Sequence, residues 1–169
     1  MRQIPAFWVV ASWRTCLEFA IDHDLGYWHQ LIVAVRLMCD LGTGRWGALD
    51  AAAQGLLKTA DLAPIPRLTA LLTLGRLKAR RGEPDAGTYL DQALAVTREH
   101  GRVGTVTPAW PALAEAVWLS GNRDATLEAV RRAEAEGTAG WNPWAMGDLA
   151  LWAFLVGGRP AAALTIAEP

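Results

Sequence analysis

Five residues of this chain recur at a fixed spacing: Leu71, Leu74, Gly75, Lys78 and Gly82 are each followed, thirty-nine positions on, by Trp110, Leu113, Ala114, Val117 and Gly121. Positions three and four apart share one face of a helix, and a glycine after them can take the left-handed conformation that ends it. On that face the large residue and the leucine would fill the space between stacked helices, while Gly75 or Ala114 lets a partner helix approach closely. A turn pattern of Gly, three residues, Ala runs in step with this register. It occurs as Gly44 to Ala48, Gly82 to Ala86, Gly121 to Ala125 and Gly158 to Ala162, at glycine intervals of 38, 39 and 37. Repeats of about 38 residues predict an all-α fold, an α-solenoid of antiparallel helix pairs in which each pair covers its neighbour's apolar face. No run alternates with period two, so no strand is expected.

The expected helices follow from caps and breakers. The first spans Gln3 to His23, the second Gly26 to Leu41, and the third Arg45 to Lys58, divided by Asp22-His23-Asp24 and Gly42-Thr43-Gly44. A proline-containing link, Ala63-Pro64-Ile65-Pro66, launches the fourth, which ends at Arg81-Gly82 with cations in its last turn. The fifth runs from Asp85 to His100; the sixth holds Pro108 and Pro111 in its first turn and reaches Ser120. The seventh covers Arg123 to Glu136 and the eighth Asn142-Pro143 to Gly157, and a ninth begins at Pro160. The whole of 1–169 is expected to be a single helical repeat domain whose apolar last turns leave an open end, one that a second copy would cover as a homodimer.

Composition narrows the class. Hydrophobic residues make up 52% and charged residues 20%, which describes a folded globular chain rather than a disordered one. A net charge of −1 gives no pull toward nucleic acid or an anionic membrane. Cys16 and Cys39 sit in helical stripes without a CxxC or Cys/His cluster, so buried reduced thiols are expected, with neither a disulfide framework nor a metal site. Most of the nine tryptophans are expected to fill the core. The apolar start, MRQIPAFWVVASW, imitates a signal peptide but continues as an amphipathic stripe through Arg14, Glu18 and Asp22. No apolar run is long enough to span a bilayer, and a cytoplasmic location is the expectation.

The register of Leu71 to Gly82 and of Trp110 to Gly121 resembles the first helix of a tetratricopeptide repeat, W-x2-L-G-x2-Y and a turn. A wider resemblance rests on DLGYW (Asp24 to Trp28), GRW (Gly44 to Trp46), RLTALLTLGRLKARRGEPDA (Arg67 to Ala86), LDQALAV (Leu90 to Val96), AEAVWLSG (Ala114 to Gly121) and GDLALW (Gly147 to Trp152). In order and spacing these resemble the tetratricopeptide-like sensor region of large LuxR-type, MalT-like bacterial transcriptional regulators and signalling ATPases, over residues 15 to 169. In that family an ATPase module precedes the repeats and a helix-turn-helix domain follows them. This sequence contains no G-x-x-x-x-G-K-[ST] and no basic recognition helix. The resemblance therefore implies a non-enzymatic regulatory segment that binds a protein partner or small effector, with no cofactor and no direct nucleic-acid or membrane binding of its own.

Candidate chemistry is sparse. Gly42-Thr43-Gly44-Arg45-Trp46-Gly47 matches G-x-G-x-x-G, and Asp61 lies near the offset of a ribose-binding acid, but that fingerprint needs a preceding strand and a helix is expected here. His23, His29 and His100 have no Ser, Cys or carboxylate at motif spacing, so no catalytic residue is assigned. Glu134 and Glu136 read as surface charge. Aligning the second, fourth, sixth and eighth helices by their terminal glycines places Met38, Arg76, Glu115 and Trp152 in one column and Leu41, Ala79, Trp118 and Leu155 in another. The expected ligand or partner groove thus comprises Arg76, Arg80, Glu115, Trp118, Asp148 and Trp152, suited to an anionic or aromatic ligand by charge-assisted hydrogen bonds and stacking. The plainer reading of the same residues is that the tryptophans are core and the arginines pair with Glu115 or Asp148. Two other classes fit the sequence: a small all-helical cytoplasmic enzyme, or a purely structural dimerisation module.

Overall fold

The computed structural model describes residues 6–101, 109–136 and 143–157, with side chains from residue 12 onward. They form eight helices: α1 Ala6–Asp22, α2 Gly26–Gly42, α3 Leu49–Leu57, α4 Pro64–Arg81, α5 Ala86–Glu99, α6 Trp110–Leu119, α7 Arg123–Glu136 and α8 Pro143–Leu155. The described residues contain no strand, and none of their helices is long and apolar enough to cross a membrane. The expected turn at Gly158, the ninth helix from Pro160, and the prolyl and asparaginyl starts at Pro108 and Asn142 lie outside the described residues. Two compact units result, Met1–Ala70 and Leu71–Pro169, and α4 runs across their boundary.

In the first unit α1 packs on α2 and α2 on α3. Ala34, Leu37 and Leu41 point into this core at three- and four-residue spacing, and Leu49, Ala53 and Leu56 answer from α3. Leu41, expected to face a groove, is therefore core. Asp24 and Asp61, in the links that follow α1 and α3, stand in the left-handed region, φ 54° and 52°, which Asp tolerates better than most residues. Asp61 offers its backbone carbonyl to the Gln30 side chain, whose oxygen in turn accepts from the Ala63 amide at 3.0 Å; the link before α4 is thereby tied to α2. The G-x-G-x-x-G stretch begins in the last turn of α2, and no strand precedes it. Arg45 pairs with Asp40, and the Trp46 indole donates to the Leu41 carbonyl at 3.0 Å. These bonds hold the segment against α2, so α3 begins at Leu49 rather than at the expected Arg45.

In the second unit α5 packs on α6, α6 on α7 and α8, and α7 on α8. Leu71, Leu74 and Leu77 of α4 are fully buried, as are Leu90, Ala93, Ala114, Ala133 and Leu149. Gly75 has the role its register assigned: a Cβ built there would lie 2.5 Å from Leu90 Cδ2, so only a glycine lets α5 come this close. The turns at Gly82 and Gly121 are left-handed, φ 70° and 81°, as glycines that end helices commonly are.

The cysteines correct the sequence reading. Both are free and exposed: the α2 core is held by Ala34, Leu37 and Leu41, which leaves Cys39 on the opposite face, while Cys16 lines an open groove. The tryptophans do so too. Of the seven whose side chains are described, Trp110 alone is buried, because the helices close on leucine and alanine and leave the larger rings at half-open faces.

Candidate functional site

Arg76 and Arg80 stand one turn apart on α4, Glu115 and Trp118 three residues apart on α6, and Asp148 and Trp152 four apart on α8. Each pair therefore lies along one helix face. All six belong to the second unit. The centre is Glu115, whose side chain is only 7% exposed. One carboxylate oxygen lies 3.0 Å from Arg76 Nε, and the other accepts from Arg80 Nε at 2.6 Å. Arg76 continues outward, donating from Nη2 to Asp148 Oδ2 at 3.0 Å. A single guanidinium thus joins α6 to α8 from α4, and two positive and two negative charges balance in the network. Such neutrality is what makes a buried carboxylate tolerable, since an unpaired one would cost several kcal/mol.

The network becomes more open away from Glu115. Arg76 is about a quarter exposed, Arg80 about a third, and Asp148 about half. Arg80 bonds through its Nε, which leaves its terminal amino groups without a hydrogen-bond acceptor among the described residues. Next to this charge lies an aromatic pair: the Trp118 and Trp152 rings are 6.4 Å apart and tilted by 42°. Both are partly buried, and the Trp152 indole N–H is enclosed without an acceptor among the described residues. Neither arginine makes a cation–π contact with these rings; the cation–π pair that does form is Lys78 over Tyr89, 5.6 Å from its centroid.

All six residues singled out in the sequence are thus brought to one locality, although not in the arrangement expected of a pair of unengaged arginines. Arg76 is consumed by Glu115 and Asp148, as the plainer reading anticipated. The tryptophans, against that reading, are not core. Met38 belongs to the first unit and is exposed. Glu136 is exposed, as expected of a surface charge, and in addition accepts a 2.7 Å bond from the buried Trp110 indole and lies 3.5 Å from Arg98. The signal for that pairing was the Trp in the large-residue position of the register, which needs an acceptor for its N–H when buried.

His23 and His100 each bond the backbone carbonyl four residues before them, and the His100 ring lies 3.9 Å from the Glu99 carboxylate. Among the described residues no group of three or more His, Cys, Asp or Glu side chains gathers as a metal site would require. Compared with known proteins, the chain matches no family model, no curated protein and no solved structure, so the reading of this site rests on its own residues.

Proposed function

We propose that this chain is a non-enzymatic regulatory domain, a tetratricopeptide-like stack of helix pairs, that binds a small effector or a protein partner on the face formed by α4, α6 and α8. The observation that carries the reading is the Arg76–Glu115–Asp148 link with Arg80 beside it: α4, α6 and α8 each contribute charged side chains to one half-open, charge-balanced site. In a stack of antiparallel pairs, alternate helices line one surface, which is why they can build a site together. The donors left over are the outer amino groups of Arg80, the enclosed Trp152 N–H, and Arg76 Nε, which lies 3.0 Å from Glu115 without making a well-aligned hydrogen bond to it. A buried donor without a partner costs roughly 1–3 kcal/mol, a penalty that a ligand acceptor would relieve. These donors and the two indole rings favour a planar ligand carrying a carboxylate or similar anion.

The resemblance of the sequence to the sensor region of LuxR-type, MalT-like regulators supports the regulatory part of this reading. In that setting the domain works in the cytoplasm and passes occupancy of the α4/α6/α8 face to its neighbours, without hydrolysing ATP or contacting DNA itself. The reading frame tests the family directly: a phosphate-loop segment upstream and a helix-turn-helix downstream support it, and stop codons on both sides refute it. The site is tested by titrating the chain with a panel of aromatic carboxylates and repeating the titration on the Arg76→Ala/Arg80→Ala double variant. Binding should weaken by at least about tenfold in a variant that still melts cooperatively. Unchanged affinity in a folded double variant removes these residues from the site.

A further inference from the structure

The first unit carries an apolar surface that the reading above does not use. Thr15, Cys16 and Phe19 on α1, with Leu25, Trp28 and Ile32 at and beyond the start of α2, line an open groove of about 390 Å³. Its lip is apolar as well: Phe19 and Trp28 are each 55% exposed, and Tyr27 is exposed beside Trp28. Phe19 is stacked on His23 at 4.0 Å and Tyr27 meets Trp28 edge-on at 5.6 Å, so the lip is held by ring contacts. Large exposed apolar side chains gathered within ten residues of sequence mark an interaction surface more often than chance exposure does.

Area and charge decide what fits. With each aromatic side chain worth about 150–250 Å² when fully buried, these three half-exposed rings leave roughly 300 Å² open to a partner. A stable pair of copies needs about 800 Å² per partner, more than twice that amount. A single short helix needs less, and laying one apolar stripe into a groove is a common mode of peptide recognition. The charges beside the lip are acidic: Asp22 and Asp24 are exposed and in no ion pair with another described residue, whereas Glu18 is matched by Arg14 at 3.6 Å. His23, on the same stretch, already bonds the Phe19 carbonyl at 2.9 Å.

We infer that the α1/α2 groove docks a short amphipathic helix of a partner protein, one with apolar residues at i, i+3 or i+4, and i+7, and with Lys or Arg next to that stripe. The apolar stripe sits between Phe19 and Trp28, and the basic residues meet Asp22 and Asp24. This surface is independent of the Arg76–Glu115 site, so either can fail without the other.

The test is selection of a random 16-residue peptide display library against the intact chain at physiological salt, followed by anisotropy titration of the most enriched peptide. Enriched sequences should share the apolar stripe and carry Lys or Arg beside it. Phe19→Ser/Trp28→Ser should weaken binding by at least about tenfold, as loss of an aromatic anchor does. Asp22→Asn/Asp24→Asn should weaken it severalfold and flatten its salt dependence. All four positions are exposed, so melting curves should stay close to that of the parent chain. The Arg76→Ala/Arg80→Ala variant should bind the peptide unchanged. Failure to enrich any peptide, enrichment of sequences without basic residues, or full affinity in the Phe19/Trp28 variant would each overturn the inference. A concentration-dependent dimer abolished by Phe19→Ser would assign the groove to a second copy instead.

Discussion

Replacing Gly75 by Ala should destabilise the second unit even though alanine is the better helix former. Gly75 lies in the interior of α4, where Ala is favoured over Gly by about 0.5–1 kcal/mol when nothing else intervenes. Here something does intervene. The new Cβ would stand 2.5 Å from Leu90 Cδ2 and 2.6 Å from Leu90 Cγ, with the Ala86 carbonyl oxygen at 3.5 Å. Leu90 is itself fully buried, so its side chain cannot swing into solvent and α5 must move or the rotamer must strain. Overpacking of this kind costs about 1–3 kcal/mol, and subtracting the propensity gain leaves a net loss of about 1–2 kcal/mol. In a chain of this size that lowers the melting temperature by roughly 2–8 °C. Gly87→Ala is the control: it lies in the same unit, on α5, with nothing within 4 Å of its built Cβ, and should be neutral or slightly stabilising. Urea denaturation followed by far-ultraviolet circular dichroism reads both, with midpoints compared at constant m. Shortening Leu90 to Ala should cost about 2–5 kcal/mol alone and measurably less in the Gly75→Ala background, since the two changes share one contact. A Gly75→Ala variant as stable as the parent, or additive with Leu90→Ala, would refute the close-approach argument.

Glu115→Ala leaves two guanidiniums facing each other across a buried site, and because both are partly solvated the expected loss is about 2 kcal/mol, below the usual range for a fully buried pair; urea midpoints measure it. Trp110→Phe keeps the ring but removes the indole donor to Glu136, and should cost about 1 kcal/mol in the same assay, with no further loss when Glu136→Gln is added. Trp144 and Phe154 of α8 are 87% and 72% exposed, so the chain should self-associate weakly through this helix; sedimentation equilibrium should give a concentration-dependent mass that Phe154→Ser reduces to that of a monomer.

Much of the fold was legible because its helices obey local chemistry. Gly82 and Gly121 announce left-handed turns, Pro111 a first turn, and Gly75 a close crossing, and each role follows from the residue type alone. Helix ends were less legible where a side chain settles them from a distance. Arg45 on Asp40 and Trp46 on the Leu41 carbonyl delay the start of α3, and neither bond has a periodic signal. In the site, spacing brought Arg76, Glu115 and Trp152 into register, yet it could not say that Arg76 would be shared between two carboxylates. That outcome depends on how far a flexible side chain reaches once three helices have packed. The groove beside Phe19 and Trp28 has no signature in the sequence for a related reason: aromatic residues at helical spacing look alike whether a neighbouring helix covers them or leaves them open.

The binding role of the α4/α6/α8 face is tested most directly by the indole N–H resonances in a two-dimensional ¹H–¹⁵N spectrum of the intact chain, recorded during titration with the aromatic carboxylate panel. The Trp118 and Trp152 signals, assigned by single Trp→Phe substitutions, should shift together and saturably with a binding member of the panel. The enclosed Trp152 N–H should move downfield as it gains an acceptor, while the signals of Trp28 and Trp46 stay in place. Saturable binding that moves other indoles and leaves Trp118 and Trp152 unshifted would contradict the assignment of the site.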